Sequence, residues 1–393
     1  MITIFYNKCV VISFITIHFI FQGGALAQRF EKINLEMGMN ETASLNLSDI
    51  SAELYYVILE TSSDIIISDI DIIKKSGNMF FIGSLPPLLS VFDKTGKFVH
   101  NIGKQGRGPN EFTYLSAYTI NDSEKQIYVY SKMPDKILVY KSDGGYLKQM
   151  KFPDFQPVSN IEFISDNNFI IMNGNFQGNT PYSYSIYNRD FRLIMNAIKP
   201  LQYKTNGAFT MKHEFSYYHF GNMFFVKENL FNDTLYLFSE KSGFIPYYTF
   251  YFGRYKPPVK LKTDFKLMVD RNDLKYIIIR NIFETHNYLL YSYLYNKLDY
   301  YGFYDKASKK AYSIQSNAIK NDFDSGPGFK PIYQKNNELF GFIHAYELIA
   351  HIASDAFKNS TPKYPEKKRE LEQLANSLSE NDNPVLMIVK LKE

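Results

Sequence analysis

Residues 91–112 read VFDKTGKFVHNIGKQGRGPNEF, and the pattern of this segment recurs along the chain. Val91 and Phe92 fit a β-strand, residues 93–96 fit a polar turn that ends in glycine, and residues 97–99 resume the strand pattern. Glycine suits the last position of such a turn because it has no Cβ and tolerates positive φ. The stretch therefore predicts a β-hairpin that leads into a glycine-rich connection.

The same hairpin pattern returns along the chain. The aromatic residue before each turn is, in order, Phe92, Tyr140, Tyr187, Phe238 and Tyr304. Successive copies are therefore 48, 47, 51 and 66 residues apart. Repeats of about 50 residues are typical of propeller blades and of the turns of a solenoid.

A second marker lies upstream of each hairpin, where a short apolar segment follows a polar turn. Six such segments occur, at residues 79–82, 127–129, 169–172, 223–226, 288–290 and 339–342. They fit the second strands of four-stranded blades, with innermost strands at residues 115–120 and 158–163. Solenoid coils are an alternative, but four antiparallel strands per repeat favour an all-β, six-bladed propeller.

A resemblance to a known family supports this prediction. FDKTGKFVHNIGKQGRGPNEF (residues 92–112) and VYKSDGGYL (139–147) resemble an NHL-type repeat, and the whole chain resembles a family of six-bladed β-propeller proteins of the bacterial envelope. Further matching segments are LYYVILET (54–61), FNDTLYLF (231–238), YFGRYKPP (251–258), NDFDSGPGFKPIY (321–333) and ENDNPVLMIVKLK (380–392). The resemblance implies the fold and implies no catalytic residues.

The sixth blade needs strands from both ends of the chain, because six second strands are matched by five hairpins. We expect residues 385–391 and an amino-terminal strand near residues 33–37 to complete it, which would close the ring and remove its open edges. Residues 54–60 and 65–73 are expected to open the first blade. Residues 345–380 carry two stretches of helical period, which form either a lid over the central tunnel or a packed outer flank.

The amino terminus has the pattern of a signal peptide. One lysine precedes an apolar run at residues 9–21, and Ala25-Leu26-Ala27 fits a cleavage site, so we expect a signal peptide at residues 1–27 and one propeller domain at residues 28–393. An uncleaved anchor is the alternative, and no later stretch is apolar enough to span a membrane. Cys9 lies at the start of the apolar run, where it cannot serve as a lipidation site. We expect an exported periplasmic or extracellular protein that is not a lipoprotein.

The amino-acid composition indicates which classes of binding partner to expect. Lysine and arginine number 44 against 40 aspartate and glutamate, which gives a net charge of +4, and the basic residues are scattered. Neither a nucleic acid nor an anionic lipid surface is therefore expected as a partner. Phenylalanine and tyrosine number 34 and 32, enough to fill the spaces between stacked blades of a monomer.

Loops scattered in sequence are expected to meet on one side of the ring. Each strand of a meander reverses the last, so connections between blades and loops between second and third strands share one face, here called the crossover face. The polar residues predicted there as a ligand-binding site are Lys104, Arg107, Asn110, Asn232, Asp233, Arg254 and Tyr255. They suit a glycan, an anionic peptide or another envelope protein.

The glycine-rich connection at residues 103–109 has two interpretations. It could form a backbone nest or arginine clamp for an anionic group. A tight structural crossover is the favoured alternative, since glycines permit the turn and Phe112 would anchor it in the core.

Asp322 and Asp324 are the candidate metal ligands. With Gly326 they match the opening of a D-x-D-x-G calcium loop, but the bidentate glutamate needed at the twelfth position is absent, since Tyr333 stands there and Gln334 follows. A hydrogen-bonded turn is therefore favoured over calcium, and no other cofactor is expected. A metal-dependent lyase or hydrolase that uses these carboxylates with Asn232 and Asp233 is the alternative function, and an envelope assembly scaffold is a third.

Asp69 and Asp71 form the remaining pair of interest. Side chains two residues apart share one face of a strand, so these carboxylates could perform acid–base chemistry together. The solvated side of a strand is the favoured interpretation.

Overall fold

The amino-terminal part of the chain runs along the outside of the molecule before it completes a sheet. A computed structural model describes residues 31–85, 88–132, 135–151, 157–205, 213–230, 232–264, 275–315 and 317–392. The first elements are β1 (Glu31–Asn34), α1 (Leu35–Gly38), β2 (Thr42–Ala43), α2 (Leu47–Ile50) and β3 (Ser51–Ile58). Residues 31–50 are called the N-terminal belt. The predicted signal peptide lies outside the described residues.

Five antiparallel meanders follow, and each forms one blade. Blade 1 contains β4 (Asp69–Ser76), β5 (Met79–Leu85), β6 (Leu88–Asp93) and β7 (Phe98–Asn101). Blade 2 contains β8 (Tyr114–Asn121), β9 (Gln126–Lys132), β10 (Lys136–Lys141) and β11 (Tyr146–Lys151). Blade 3 contains β12 (Val158–Phe163), β13 (Asn168–Asn173), β14 (Tyr184–Asn188) and β15 (Leu193–Ala197).

The fourth and fifth blades are separated by a longer connection. Blade 4 contains β16 (Phe215–Phe220), β17 (Met223–Glu228), β18 (Thr234–Ser239) and β19 (Gly243–Tyr251). A 3₁₀ helix (Gly253–Tyr255) and α3 (Lys260–Thr263) lie in the connection. Blade 5 contains β20 (Ile278–Glu284), β21 (Tyr288–Tyr295), β22 (Leu298–Asp305) and β23 (Lys310–Ile314).

The sixth blade joins the two ends of the chain. It contains β24 (Tyr333–Lys335), β25 (Glu338–Ile343) and β26 (Val385–Leu391), with β3 as the outermost strand. The helices α4 (Ala345–Ala353), α5 (Asp355–Lys358) and α6 (Pro365–Asn376) are inserted between β25 and β26. The six-bladed propeller predicted from the sequence is confirmed, including its hairpins, its second strands and its helical insertion.

The core lies between neighbouring blades. Phe81 and Val91 of blade 1, for example, pack with Tyr118 and Leu138 of blade 2, and all four side chains are buried. Because a blade buries both of its faces in this way, most of the aromatic residues find a place between sheets.

The ring closes through strands β26 and β3. These strands pair antiparallel from Val385 opposite Ile58 to Leu391 opposite Ser51. The prediction that residues 385–391 help to complete the last blade is confirmed, but the expected partner was wrong. Residues 51–58 form the outer strand of blade 6 instead of opening blade 1, which begins at β4.

Residues 33–37 have a different role from the one predicted. β1 ends at Asn34, whose side chain accepts a hydrogen bond from the Met37 amide and so caps α1. β1 pairs in parallel with β19, and β2 pairs in parallel with β23. The N-terminal belt therefore adds a fifth strand to blades 4 and 5 before the chain reaches blade 6.

The hairpins between third and fourth strands share a backbone conformation. Their positive-φ residues are Gly96, Gly144, Phe191, Gly243 and Lys309. At Gly96, φ is +86° and an added Cβ would lie 1.9 Å from the carbonyl oxygen of Ile58, at the end of the outer strand of the preceding blade. This hairpin of blade 1 therefore packs against the outer strand of blade 6. Glycine is required at position 96 because φ is positive and because a Cβ would overlap the Ile58 carbonyl.

The helical insertion packs against the side of the ring. Leu348, Ile352, Phe357 and Leu371 are buried in the core cluster that also includes residues of blades 4–6. The residues that line the central cavity, within the described chain, include none from α4, α5 or α6. Of the two predicted roles, the packed flank agrees with these contacts. None of the helices in the described ranges is long and apolar enough to cross a membrane.

Candidate ligand-binding cavity

A cavity of about 630 Å³ lies where the innermost strands of the six blades meet. Its walls are formed by β4, β8, β12, β16 and β20, with Tyr333 of β24 and neighbouring residues. Phe176 and His213 also line it, and both belong to connections on the crossover face. The cavity therefore faces the side of the ring on which a binding site was predicted.

Four of the inner strands carry a β-bulge at the cavity wall. The ladder between first and second strands skips one residue in blades 1, 2, 3 and 5. The skipped residues are Asp71, Ser116, Ser159 and Arg280, and all four line the cavity. Bulges redirect side chains and are frequent next to functional sites. Each of these bulges presents a polar side chain to the cavity.

The bulge at Asp71 changes the direction of its neighbours. Ile70 packs in the core between blades 6 and 1, whereas Ile72 packs in the core between blades 1 and 2. In a regular strand these two side chains would point the same way. The extra residue therefore reverses the strand's alternation, and Asp69 and Asp71 line the cavity instead of an outer solvated face.

The charges of the cavity wall are balanced. Among the described residues, the acidic lining residues are Asp69, Asp71 and Asp299, and the basic ones are Lys74, Lys132 and Arg280. Arg280 Nε lies 2.9 Å from Asp299 Oδ1, so part of this charge is already neutralised within the wall. The cavity can bind polar groups without strongly favouring either sign of charge.

Aromatic rings complete the wall. Phe176 lies directly against Gly174, where an added Cβ would be 2.4 Å from Phe176 Cζ. The Lys132 ammonium is 5.8 Å from the centroid of the same ring. Burial raises the pKa of Tyr301 to about 12, so its hydroxyl keeps its proton at neutral pH. The cavity thus offers an aromatic face beside hydrogen-bonding groups.

A buried cluster of charged groups forms the floor. Lys74 makes an ion pair with Glu162, and Lys74 Nζ is 3.4 Å from the hydroxyl of Tyr217. Glu162 Oε1 lies 3.4 Å from His219 Nε2. Lys74, Tyr217 and Tyr333 also line the cavity, and Lys74 lies further along β4 from the crossover face than Asp69 and Asp71 do.

The two charges of the floor stabilise each other. Burial alone would lower the pKa of Lys74, but the carboxylate of Glu162 raises it above the ordinary value of 10.5. Burial alone would raise the pKa of Glu162, but Lys74 and then His219 lower it below the ordinary value of 4.5. Both groups are therefore ionised at neutral pH.

The predicted residues of the glycine-rich connection lie outside the cavity. Lys104 Nζ is 3.0 Å from Glu111 Oε1, and the Gly108 amide donates to Glu111 Oε2 at 2.8 Å. These contacts lower the pKa of Glu111, the Gly108 hydrogen bond most of all. Arg107 is exposed, and the carbonyl of Asn110 accepts a hydrogen bond from Tyr140. The internal bonds agree with a structural crossover.

A second group of predicted residues gathers beside blade 4. The Arg254 guanidinium lies 4.9 Å from the ring centroid of Tyr255 and donates to its hydroxyl. Asp233 Oδ2 is 2.5 Å from Lys256 Nζ, and Asn232 accepts a hydrogen bond from the Thr234 amide. None of these residues is among the described residues that line the cavity.

The carboxylates of the predicted calcium loop bind protein groups. Asp322 accepts hydrogen bonds from the amide and the hydroxyl of Ser48 in α2, at 2.9 and 2.5 Å. Asp324 accepts from the Gly326 amide and from Asn321, both at 2.7 Å. Within the described ranges no group of three or more histidine, cysteine, aspartate or glutamate residues is arranged to hold a metal. These contacts agree with a hydrogen-bonded turn.

From the sequence, the candidate binding residues were predicted on loops, and of the cavity wall only Asp69 and Asp71 were considered. One pattern could have indicated this wall: in DIDIIKKS, residues 69–76, two consecutive isoleucines break an otherwise regular alternation. A break of that kind is typical of a bulge. Arg280 and Ser159 carry no comparable pattern.

Comparison with known proteins agrees with this architecture. Residues 30–390 match the model of a domain of unknown function, DUF4934. The chain belongs to the DUF4934 family. No protein with a curated description matches this DUF4934 chain. The match to this family does not test the resemblance to NHL-type repeats, which stays a prediction.

The solved structures that share the fold of this DUF4934 protein include two from Bacteroides species. A candidate exported protein of Bacteroides fragilis NCTC 9343 is 19% identical with a TM-score of 0.69, covering 93% of this chain and 100% of its own. A DUF4221 family member from Bacteroides vulgatus ATCC 8482 is 11% identical with a TM-score of 0.51, covering 87% of this chain and 97% of its own. At these identities the likeness concerns the fold.

Proposed function

We propose that this DUF4934 protein is an exported binding protein that holds a small polar ligand in its central cavity. The observation that carries the proposal is the cavity of about 630 Å³ whose wall presents four bulged residues, Asp71, Ser116, Ser159 and Arg280. Cavities of about 300–1,000 Å³ with a few converging polar groups are the usual form of small-molecule sites.

Export is part of the proposal. It rests on the pattern of residues 1–27 and on the fold shared with a candidate exported protein of Bacteroides fragilis. The periplasm or the cell surface is the proposed location. The proposed site is the wall formed by the inner strands, whereas the sequence predicted loops. We place the cavity and those loops on the same side of the ring, the crossover face.

Of the alternatives, the metal-dependent lyase or hydrolase is the one that depends on Asp322 and Asp324. In this structure both carboxylates are engaged by Ser48, Asn321 and Gly326. No observation in the described residues favours that enzyme over a binding protein.

A thermal-shift screen tests the proposal. A ligand present at 100 times its Kd stabilises the folded state by about 2.7 kcal/mol, which raises the unfolding temperature measurably. The screen is run on the wild type and on Ser116→Phe, which places a ring in the cavity from a half-buried bulge position. Arg254→Ala, which alters a predicted site residue outside the cavity, is the matched control.

The expected result is a ligand that stabilises the wild type and Arg254→Ala but not a folded Ser116→Phe variant. A ligand whose effect survives Ser116→Phe and disappears in Arg254→Ala would move the site to the loops and overturn the proposal. Near-ultraviolet circular dichroism of Ser116→Phe shows whether the variant keeps its fold.

A further inference from the structure

We propose that the ligand of the central cavity is an uncharged sugar, either free or as the end of an oligosaccharide. This inference rests on the proposed binding function and adds the chemical class of its ligand. Three properties of the wall lead to it: its balance of charge, its hydrogen-bonding groups and its aromatic face.

Charge balance argues against strongly charged ligands. Among the described lining residues, Arg280 is paired with Asp299, and Lys74 is paired with Glu162, which lies behind the wall. Asp69, Asp71 and Lys132 remain, so the wall carries no excess of positive charge and at most one carboxylate more than it has cations. A site for a phosphate, a uronate chain or a nucleotide needs an excess of positive charge that attracts the anion. A basic peptide needs the opposite excess. An uncharged ligand needs neither.

The polar side chains of the wall match the chemistry of hydroxyl groups. A hydroxyl both donates and accepts, so a sugar needs acceptors and donors close together. The described lining residues provide carboxylates, amides and hydroxyls in the same cavity: Asp69, Asp71, Asn160, Asn281, Ser116 and Ser159. Carboxylates and amides can bind two neighbouring hydroxyls at once, which fixes the orientation of a sugar ring.

Phe176 provides the complementary apolar surface. One face of a pyranose ring carries C–H groups that pack on an aromatic ring. Phe176 is half-buried at the cavity wall, and the end of its ring packs against Gly174. An aromatic ring held beside carboxylates and amides suits a ligand that is polar at its edge and apolar on its face.

Fully apolar ligands are a poor fit to the same wall. Burying them against Asp69, Asp71 and Lys132 would remove water from charged groups without replacing its hydrogen bonds. A free amino acid would find groups of both signs, but its carboxylate would have to compete with Asp299 for the charge of Arg280. An uncharged sugar can form hydrogen bonds with the polar groups of the wall while the ion pair of Arg280 and Asp299 stays intact.

Titration calorimetry with a defined panel tests the sugar assignment. The panel contains neutral oligosaccharides of glucose, mannose, xylose, galactose and N-acetylglucosamine, oligogalacturonate as the anionic counterpart, and short acidic and basic peptides. Measurements at about 50 and 500 mM salt separate the classes, because salt weakens binding that depends on net charge. The variants are Phe176→Ala, Phe176→Tyr and Asp71→Asn, with Arg254→Ala as the control outside the cavity.

We expect at least one neutral oligosaccharide to bind with an affinity that changes less than about twofold with salt. Phe176→Ala should weaken that binding about tenfold, which corresponds to about 1.4 kcal/mol, because the aromatic contact is lost, and Phe176→Tyr should largely restore it. Asp71→Asn should weaken it as well, and Arg254→Ala should leave it unchanged.

The outcomes separate the two proposals. Cavity-dependent binding of oligogalacturonate or a peptide, with no neutral sugar bound, would overturn the sugar assignment while the binding function stands. Neutral-sugar binding that is unaffected by Phe176→Ala and Asp71→Asn would overturn both the assignment and the cavity as its site. Absence of binding by every member of the panel to the folded wild type would overturn the sugar assignment.

Discussion

Lys74 of blade 1 and Glu162 of blade 3 form a buried ion pair between two blades that are not neighbours in the ring. Their side chains are 3% and 7% exposed. Because blade 2 lies between them, the contact ties together inner strands that share no hydrogen-bond ladder. Lys74 also lines the cavity, so the same ion pair contributes both to the contacts between blades and to the floor of the proposed site.

Lys74→Met should strongly destabilise the protein. The substitution leaves the buried carboxylate of Glu162 without its ammonium partner, and breaking a buried pair in this way costs about 3–5 kcal/mol. Lys74→Met combined with Glu162→Leu should recover much of the loss, because both charges are removed. Lys367→Met provides the control: Lys367 pairs with Glu370 on the exposed face of α6 at 2.8 Å, and its loss should cost no more than about 1 kcal/mol. Denaturant unfolding of the four proteins measures the free energies, and equal losses in the single variants would contradict the assigned role.

The same pair predicts how stability depends on pH. The pKa of Glu162 is lowered in the folded state, so its contribution is present above the unfolded value of about 4.5 and is lost as pH falls through the folded value. The pKa of Lys74 is raised, so its contribution is present below about 10.5 and is lost as pH rises through the folded value. Urea unfolding between pH 3 and 11 should show both losses in the wild type and smaller ones in the double variant. Identical pH profiles for the two proteins would refute this prediction.

Gly96→Ala should destabilise the joint between blades 6 and 1. An alanine there takes a positive φ, and its Cβ collides with the Ile58 carbonyl at 1.9 Å. Gly77→Ala is the matched control, because Gly77 has a φ of +54° and no atom within 4 Å of the added Cβ. We expect a cost of about 1–2 kcal/mol for Gly77→Ala and a distinctly larger one for Gly96→Ala. Similar unfolding temperatures for the two variants would show that the contact with Ile58 contributes little.

Removal of residues 385–393 should abolish cooperative unfolding. The deletion takes away β26, which pairs with β25 on one side and β3 on the other, so blade 6 loses its third strand and the ring opens. Deletion of Glu393 alone leaves β26 in place and serves as the control. Differential scanning calorimetry should give one sharp transition for the control and a broad one or none for the truncated chain. A sharp transition at the wild-type temperature in the truncated chain would disprove this role of β26.

The sequence was sufficient to predict the repeated hairpins, but it did not predict which strands pair where the ring closes. Gly96 and Gly144 marked their hairpins because positive φ restricts the choice of residue, and that restriction can be read locally. The role of residues 51–58 could not be read locally, since an alternating strand pairs equally well with the sheet before it or after it. The choice of β26 as partner depends on the whole ring.

The site was harder to predict than the fold for a related reason. Arg107 and Arg254 stand out in sequence because they lie in glycine-rich or aromatic loops, whereas Ser159 and Arg280 lie in ordinary strands. Ser159 and Arg280 line the cavity because each lies at a β-bulge. A bulge arises from the pairing of two strands and has no fixed sequence pattern. Among the bulged residues, only Asp71 has a sequence pattern that indicates the bulge, because two consecutive isoleucines follow it.

A crystal structure of the protein with a ligand identified by the thermal-shift screen would show directly where the ligand binds. We expect the ligand to lie within the ring of inner strands, in contact with Asp71 or Arg280 and against the ring of Phe176. A ligand bound instead at Arg107 or at Arg254 and Tyr255, with the central cavity filled only by solvent, would contradict this expectation.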